Sequence, residues 1–372
     1  MSNRCYVATR KGLFTIDRGA SKWAVSHAAF VGDNVTLAMH DPRNGDLFAA
    51  LNHGHFGIKL HRSRDGGETW PEIAVPVYPP MPEGYVPKPH PFTGKAIDWA
   101  LKLIWGLAPA GADQPGVLWC GTMPGGLFKS EDSGETWELN RPLWDHPKRE
   151  DWGPNGAEHP GIHSICVDPR DSRHVSIGVS TGGVWITRDS GKSWVPTGGG
   201  MRAEYFPPEQ MHDPNVQDVH CLVQGDANPE VFWVQHHNGI FRSTDGAASW
   251  VEITDVKPSA FGFPVAVNPK NSDIAWFVPS TKDEKRCPTD GRVVVNRTSD
   301  GGKTFETLRR GLPQEWAYDL VYRHSLDVDK SGDRLAFGST TGSVWISEDS
   351  GDSWQNVSSN LPPVYAVRFA KG

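Results

Sequence analysis

Histidine is the residue type whose placement in this chain first suggests chemistry. Asn52-His53-Gly54-His55 and His236-His237-Asn238 each fall at a turn between two alternating apolar runs. His163 and His220 occur in matched contexts, Ile-His-Ser-Ile and Val-His-Cys-Leu. Neutral imidazoles with a carboxylate form the donor set of a divalent transition-metal site. Such a site would use His163, His220 and one of His236 or His237, with Glu158 or Asp319 as the oxygen ligand. An imidazole that titrates near neutral pH serves equally in general acid–base catalysis, here His163 or His220 with Glu158, Asp319 or Tyr365 close by. The third reading needs no chemistry: histidines that hydrogen-bond neighbouring loops and pin them. No short ligand spacing such as HExxH selects among the three.

Two long irregular segments, 140–161 and 198–217, add aromatic rings beside charges. The first carries Arg149, Trp152, Glu158 and His159, the second Arg202, Glu204 and Tyr205. Rings that stack and charges that orient suit a polar, ring-shaped ligand such as a sugar. His53, His55, Arg149, Trp152, His159, Arg202, Tyr205 and His237 are the binding candidates. Carboxylates in these segments could form the acid/base pair of glycoside cleavage. The charged run from Lys282 to Arg286 reads as an exposed, solvated turn.

The elements that must position these residues repeat along the chain. Thr187-Arg-Asp189-Ser-Gly191-Lys-Ser193-Trp194 has the form S/T-x-D-x-G-x-S/T-W, and recurs from Ser63, Ser130 and Ser347. Two copies are worn: that from Ser243 has Ala247 in place of Gly, and that from Thr298 ends in Phe305. A weaker copy starts at Thr15. Each lies between the third and fourth of four short alternating runs, and the spacing is near 55 residues. Four strands per unit at that period predict an all-β, seven-bladed propeller of four-stranded antiparallel blades. The blades are expected at 34–75, 100–139, 162–197, 218–253, 263–308 and 317–357, with blade one shared between 4–28 and 363–370. A blade built from both termini closes the ring and leaves no exposed edge. Antiparallel order puts every repeated turn on one face and the long loops on the other, so the His-rich loops define a working face, and a polar pocket is expected there.

Composition narrows the partners. Net charge is −7 with no basic run, which argues against a nucleic-acid groove. No stretch has the length of an apolar membrane helix, and no leader is expected ahead of the first strand. The five cysteines lack CxxC spacing, and a reducing cytoplasm is the expected setting.

The repeated turn resembles the Asp-box, or BNR repeat, of sialidases, sortilin-type receptors, xyloglucanases and a photosystem II assembly factor. The resemblance implies a propeller whose box aspartates are structural. Sialidases of this kind have six blades and an F/Y-R-I-P motif; this chain counts seven and lacks the motif. Their arginine set has no motif-matched equivalent, although Arg10, Arg149 and Arg202 could reach the working face beside Glu204-Tyr205. Xyloglucanases of this type enclose a cleft between two propellers, and this chain has one. The function expected is a carbohydrate-active or related small-molecule hydrolase or lyase. The alternative is a non-catalytic protein-interaction platform, similar to the assembly-factor or sortilin-type members.

Overall fold

The computed structural model describes residues 1–84, 86, 99–153 and 159–370. The chain is a seven-bladed β-propeller of four-stranded antiparallel sheets. Blade one contains β1 (Arg4–Thr9), β2 (Gly12–Arg18) and β3 (Trp23–Ala29), and is completed by the last strand, β28 (Val364–Phe369). Blade two is β4 (Val35–His40), β5 (Leu47–Asn52), β6 (Ile58–Ser63) and β7 (Glu72–Ile73). Blade three is β8 (Leu103–Pro109), β9 (Leu118–Met123), β10 (Leu127–Ser130) and β11 (Glu138–Leu139). Blade four is β12 (Gly161–Val167), β13 (Val175–Ser180), β14 (Gly183–Thr187) and β15 (Val195–Thr197). Blade five is β16 (Val219–Gln224), β17 (Phe232–His236), β18 (Gly239–Ser243) and β19 (Val251–Ile253). Blade six is β20 (Gly262–Val267), β21 (Ala275–Pro279), β22 (Val295–Thr298) and β23 (Glu306–Leu308). Blade seven is β24 (Leu326–Val328), β25 (Leu335–Gly338), β26 (Val344–Ser347) and β27 (Gln355–Ser358).

Burial explains the order within a blade. Second strands such as β9, β13 and β21 are buried at every residue because each is covered by both neighbouring blades. Second strands carry most of the largest interior rings, among them Trp119, Trp233, Trp276, Phe48 and Phe337, while Trp185 comes from β14. Outside blade one, whose β3 has seven residues, the outermost strands are short, which limits the free edge they present.

The repeated turn joins each blade to the one before it. Asp189 accepts from the Ser193 amide (2.9 Å), the Ser193 hydroxyl (2.6 Å) and the Thr187 hydroxyl (2.7 Å), while Thr187 Oγ1 accepts from the Gly191 amide. The same network surrounds Asp65, Asp132, Asp245, Asp300 and Asp349. Gly191 sits at φ +84, and a Cβ there would stand 3.1 Å from Trp119 of blade three. Trp194 then donates to Asn140, which itself donates to the Gly191 carbonyl. Blade one departs from the pattern: Asp17 binds the Arg4 guanidinium (2.7 and 2.9 Å) and the Ser26 hydroxyl instead.

Inner strands end on the face of the repeated turns, in Asx turns where Asp41, Asp168, Asn268 and Asp329 accept from the amide two residues on. This corrects blade seven. Its inner strand is β24, running up to Asp329, and not the segment around Tyr318–Tyr322 that the alternation suggests. The first three of these turns carry Pro after the Asx residue, whereas Asp329 is followed by Lys330, so the local signal is weaker.

At the opposite, working face the inner strands carry a bulge. The register shifts across Thr36, Trp105, His163, His220, Phe263 and Tyr365. A bulge re-aims the extra side chain, so these residues occupy one level around the axis.

Closure rests on the ladder Cys5↔Phe369 through Thr9↔Val364, so truncation after Pro362 should remove cooperative melting at the parent temperature. A truncated chain with an unchanged melting curve would exclude it. Hydrogen bonds from hydroxyls and amides within the turn hold the Asp189 and Asp300 carboxyls at about 2, and Asp65 lower still. A carboxyl depressed on folding stabilises above its unfolded value of about 3.9, and the gain is lost as pH falls through the folded value. Melting temperature should therefore fall steeply between about pH 4 and pH 2. The slope should be shallower in the Asp189→Asn/Asp300→Asn variant; equal slopes would refute this origin.

Candidate functional site

The chemical centre lies on the working face at the entrance to blade five. Asp218 immediately precedes β16, His220 is the bulged residue of that strand, and His237 follows β17. The His237 amide donates to the Asp218 carbonyl (3.0 Å), which sets the two side chains side by side. One donor atom from each of Asp218, His220 and His237 lies within 4.8 Å of the other two. Asp218 Oδ2 is 3.4 Å from His237 Nδ1 and 3.8 Å from His220 Nε2.

The supporting contacts define which ring atoms are available. His220 Nδ1 donates to the Gly262 carbonyl (2.7 Å), and the ring stacks on Phe263 at 4.5 Å. With Nδ1 so engaged, Nε2 is the ring atom that faces Asp218. His237 packs edge-on against Tyr205 (5.0 Å) and Phe261 (5.8 Å). Burial pushes the Asp218 carboxyl up, but His220 and His237 more than reverse this and hold it well below its usual range. Burial lowers His237, and the Asp218 carboxylate outweighs it, so that imidazole is raised. The set can hold a divalent cation through one carboxylate and two imidazoles, or move a proton between His237 and Asp218.

The other sequence candidates fall elsewhere. His163 does not converge with His220: its Nε2 donates to the Val219 carbonyl (2.7 Å) and its Nδ1 meets the Ser164 hydroxyl (2.9 Å). Each of these two bulged histidines reaches the next blade, which separates their rings. His236 is fully buried against Phe241, its Nδ1 accepting from the Asn238 amide, and burial depresses it to about 3. Asp319 is displaced with the inner strand and binds the hydroxyls of Ser339 and Thr341. Tyr365 keeps its bulge position and stacks on Tyr322 at 6.1 Å. Glu158 lies outside the described residues.

Among the ligand-binding candidates, Trp152 is core: it is buried against Trp185 and donates to Asn215. Arg149 lies on the Trp144 ring at 3.7 Å and donates to its carbonyl. Arg202 is held by Glu252 (2.7 and 2.8 Å) and by Glu204, so it does not stand free for an anion. His159 is buried. His55 is exposed and packs on Phe56, while His53 is half-buried in the same loop. Tyr205, 47% exposed beside His237, is the candidate that borders the centre.

Sequence reasoning missed Asp218, although Asp218-Val219-His220 places two donors at alternate positions on one strand face. It also missed the aromatic floor of Phe261 and Phe263; Arg286 from the charged run lies over the Phe263 ring at 5.4 Å.

No family model matches the chain. It is 27% identical over 288 residues to an oligoxyloglucan-reducing end-specific xyloglucanase of Emericella nidulans, covering 68% of this chain and 32% of that enzyme. The chain spans about a quarter to a third of the length of the curated relatives it matches. Among solved structures, an ancestral GH74 enzyme is similar at a TM-score of 0.57 and 14% identity, over 91% of this chain and 38% of that one. A functionally unknown protein from Desulfotomaculum acetoxidans is similar at 0.59 and 9% identity, over 100% and 99% of the two chains. These structural likenesses concern the fold.

Proposed function

We propose that the working face is the active site of a metal-dependent hydrolase or lyase acting on a small, sugar-like ligand, with Asp218, His220 and His237 holding a divalent transition metal. The spacing of those three donors carries the reading. Contacts of 3.4 and 3.8 Å are long for hydrogen bonds. Two donors bound to one ion at about 2.1 Å stand roughly 3.0–3.4 Å apart, so small side-chain adjustments would complete the site. Asp218 Oδ2 and His220 Nε2, 3.8 Å apart, leave a gap that an ion between them would draw closed. The Nδ1 bond of His220 to a carbonyl is the arrangement that orients a metal-ligating imidazole. Two imidazoles and one carboxylate leave coordination positions open, where an ion can acidify water or polarise a substrate oxygen.

Tyr205 and the exposed rings Phe56, Trp316 and Tyr318 on the same face suit stacking on a sugar. The similarity to xyloglucanases supports that ligand class. A carboxylate-only mechanism has less support, because Glu204 and Glu252 are both committed to Arg202.

One feature favours an interaction platform as a second reading: Trp316 is 82% exposed at φ 54, next to exposed Tyr318. That reading predicts metal-free protein without turnover, and loss of partner affinity in Trp316→Ser.

Under the enzymatic reading, purified protein should carry one equivalent of a divalent metal by elemental analysis. Asp218→Ala or His220→Ala should weaken metal affinity by more than the roughly 10–100-fold typical of removing an outer-shell contact. Affinity should also collapse below about pH 6 as the imidazoles protonate. Turnover in a glycoside and uronate screen should follow metal content. Protein that binds no divalent metal after incubation with zinc, manganese or iron(II) would sink the metal assignment.

A further inference from the structure

A cavity of about 490 Å³ runs along the propeller axis, lined by the inner strands, and Arg323 and His163 line part of it. Arg323 and His324 lead from blade seven toward β24 and reach over the axis. The Arg323 guanidinium lies 4.3 Å from the ring of Trp105 in blade three, and His324 Nε2 donates to the His163 carbonyl of blade four. The Arg323 carbonyl meets Cys221 Sγ of blade five. Backbone and ring contacts thus fix the guanidinium in place.

What the guanidinium lacks is an acceptor. Among the described residues it makes no hydrogen bond or ion pair, and Nη1 is buried without a partner. Other inward-lying arginines in this chain have acceptors for their terminal nitrogens, although Nε of Arg297 and of Arg334 is buried without one. Arg62 donates to the Ser133 carbonyl and Glu135, and Arg297 pairs with Glu306 and Asp352. Arg334 donates to Ser2 and Asn3 and pairs with Glu348. Asp218 is the foremost acidic influence on Arg323, yet its carboxylate already faces His220 and His237. Burial pulls Arg323 down to about 10, which still leaves it cationic at neutral pH. Arg323 is half-buried, and a partly desolvated cation with no acceptor opposes folding unless something else compensates it, so an apolar side chain would fill the position at lower cost.

We infer that Arg323 anchors the oxyanion of a small ligand bound in the axial cavity. An open guanidinium edge matches a carboxylate or phosphate through paired hydrogen bonds. The cavity volume falls in the range that encloses small molecules, and a single sugar unit fits that scale. The shared chemistry is a sugar bearing one anionic group, either a sugar acid or a sugar phosphate. As a statement about substrate this rests on the function proposed above; as a statement about binding it does not.

The test is isothermal titration of the full chain, untreated and after EDTA, with galacturonate, glucose 6-phosphate and neutral galactose. At least one anionic sugar should bind ten-fold or more tighter than galactose, and the preferred one identifies the source of the oxyanion. Arg323→Met should lose that preference, while its ligand-free melting temperature should equal or exceed the parent's, because a half-buried charge without an acceptor has been removed. Arg323→Lys should retain a weaker preference. Equal binding of galactose and both anionic sugars overturns the inference without any variant, as does an undiminished preference in Arg323→Met. A lower ligand-free melting temperature in a folded Arg323→Met would assign the residue a structural role instead. Anion binding by metal-free protein leaves the inference standing whatever becomes of the metal assignment. Metal binding without anion preference does the reverse.

Discussion

The hydrogen-bonded ladder between the last strand and the first is the constraint on which the molecule depends. Six blades are sheets made from consecutive chain, and each can form its own strand pairs locally. Blade one cannot, because β28 must return across more than 350 residues of sequence to pair with β1. Until it does, blades one and seven lack their final packing partner and β1 presents an open edge. The seam is reinforced where it closes: the Ser2 amide donates to Asp329, Arg334 holds Ser2 and Asn3, and Glu348 pairs with both Arg18 and Arg334. These contacts lie at one end of the seam, and the ladder continues toward the other.

Closing a ring also forces the inner strands together, and the recurrent bulge is how the backbone meets that demand. Each bulge turns one extra side chain at the same level, and the residue type there decides its use. His163 spends its ring on a carbonyl of the next blade. His220 does the same with one nitrogen, but its other nitrogen faces Asp218. Trp105 supplies a face for Arg323, and Phe263 a floor for His220. One backbone irregularity therefore yields both mortar and candidate chemistry.

Legibility in the sequence follows the range of the interaction. The eight-residue turn is local, with its donors and acceptor all inside the motif, so its structural role could be read directly. Strand alternation and the missing strand at each end sufficed for seven blades and their closure. Blade seven's inner strand was misplaced because Asp329-Lys330 lacks the proline that marks comparable turns, and Asp319 moved with it. His163 and His220 do occupy matched positions, yet ring direction depends on which neighbouring carbonyl each meets, and no single strand encodes that. The convergence of Asp218 with His237 joins the start of one strand to the end of another.

Arg323 is the limiting case, because lacking an acceptor among the described residues is a property of the whole fold. From sequence an arginine before an apolar strand is an ordinary residue, and thirty-seven lysines and arginines offer no reason to single it out. Only with every blade in place is it evident that the guanidinium crosses to Trp105 and meets no acceptor among the described residues. The same crossing joins the two polar features of the molecule. His324 donates to the His163 carbonyl, and Arg323 touches the strand that carries His220. A ligand that satisfied Arg323 would compensate a half-buried charge, and would do so on the cavity side of the strand that carries His220. Blades three, four, five and seven all contribute to that crossing, so any binding energy released there would act on the ring as a whole.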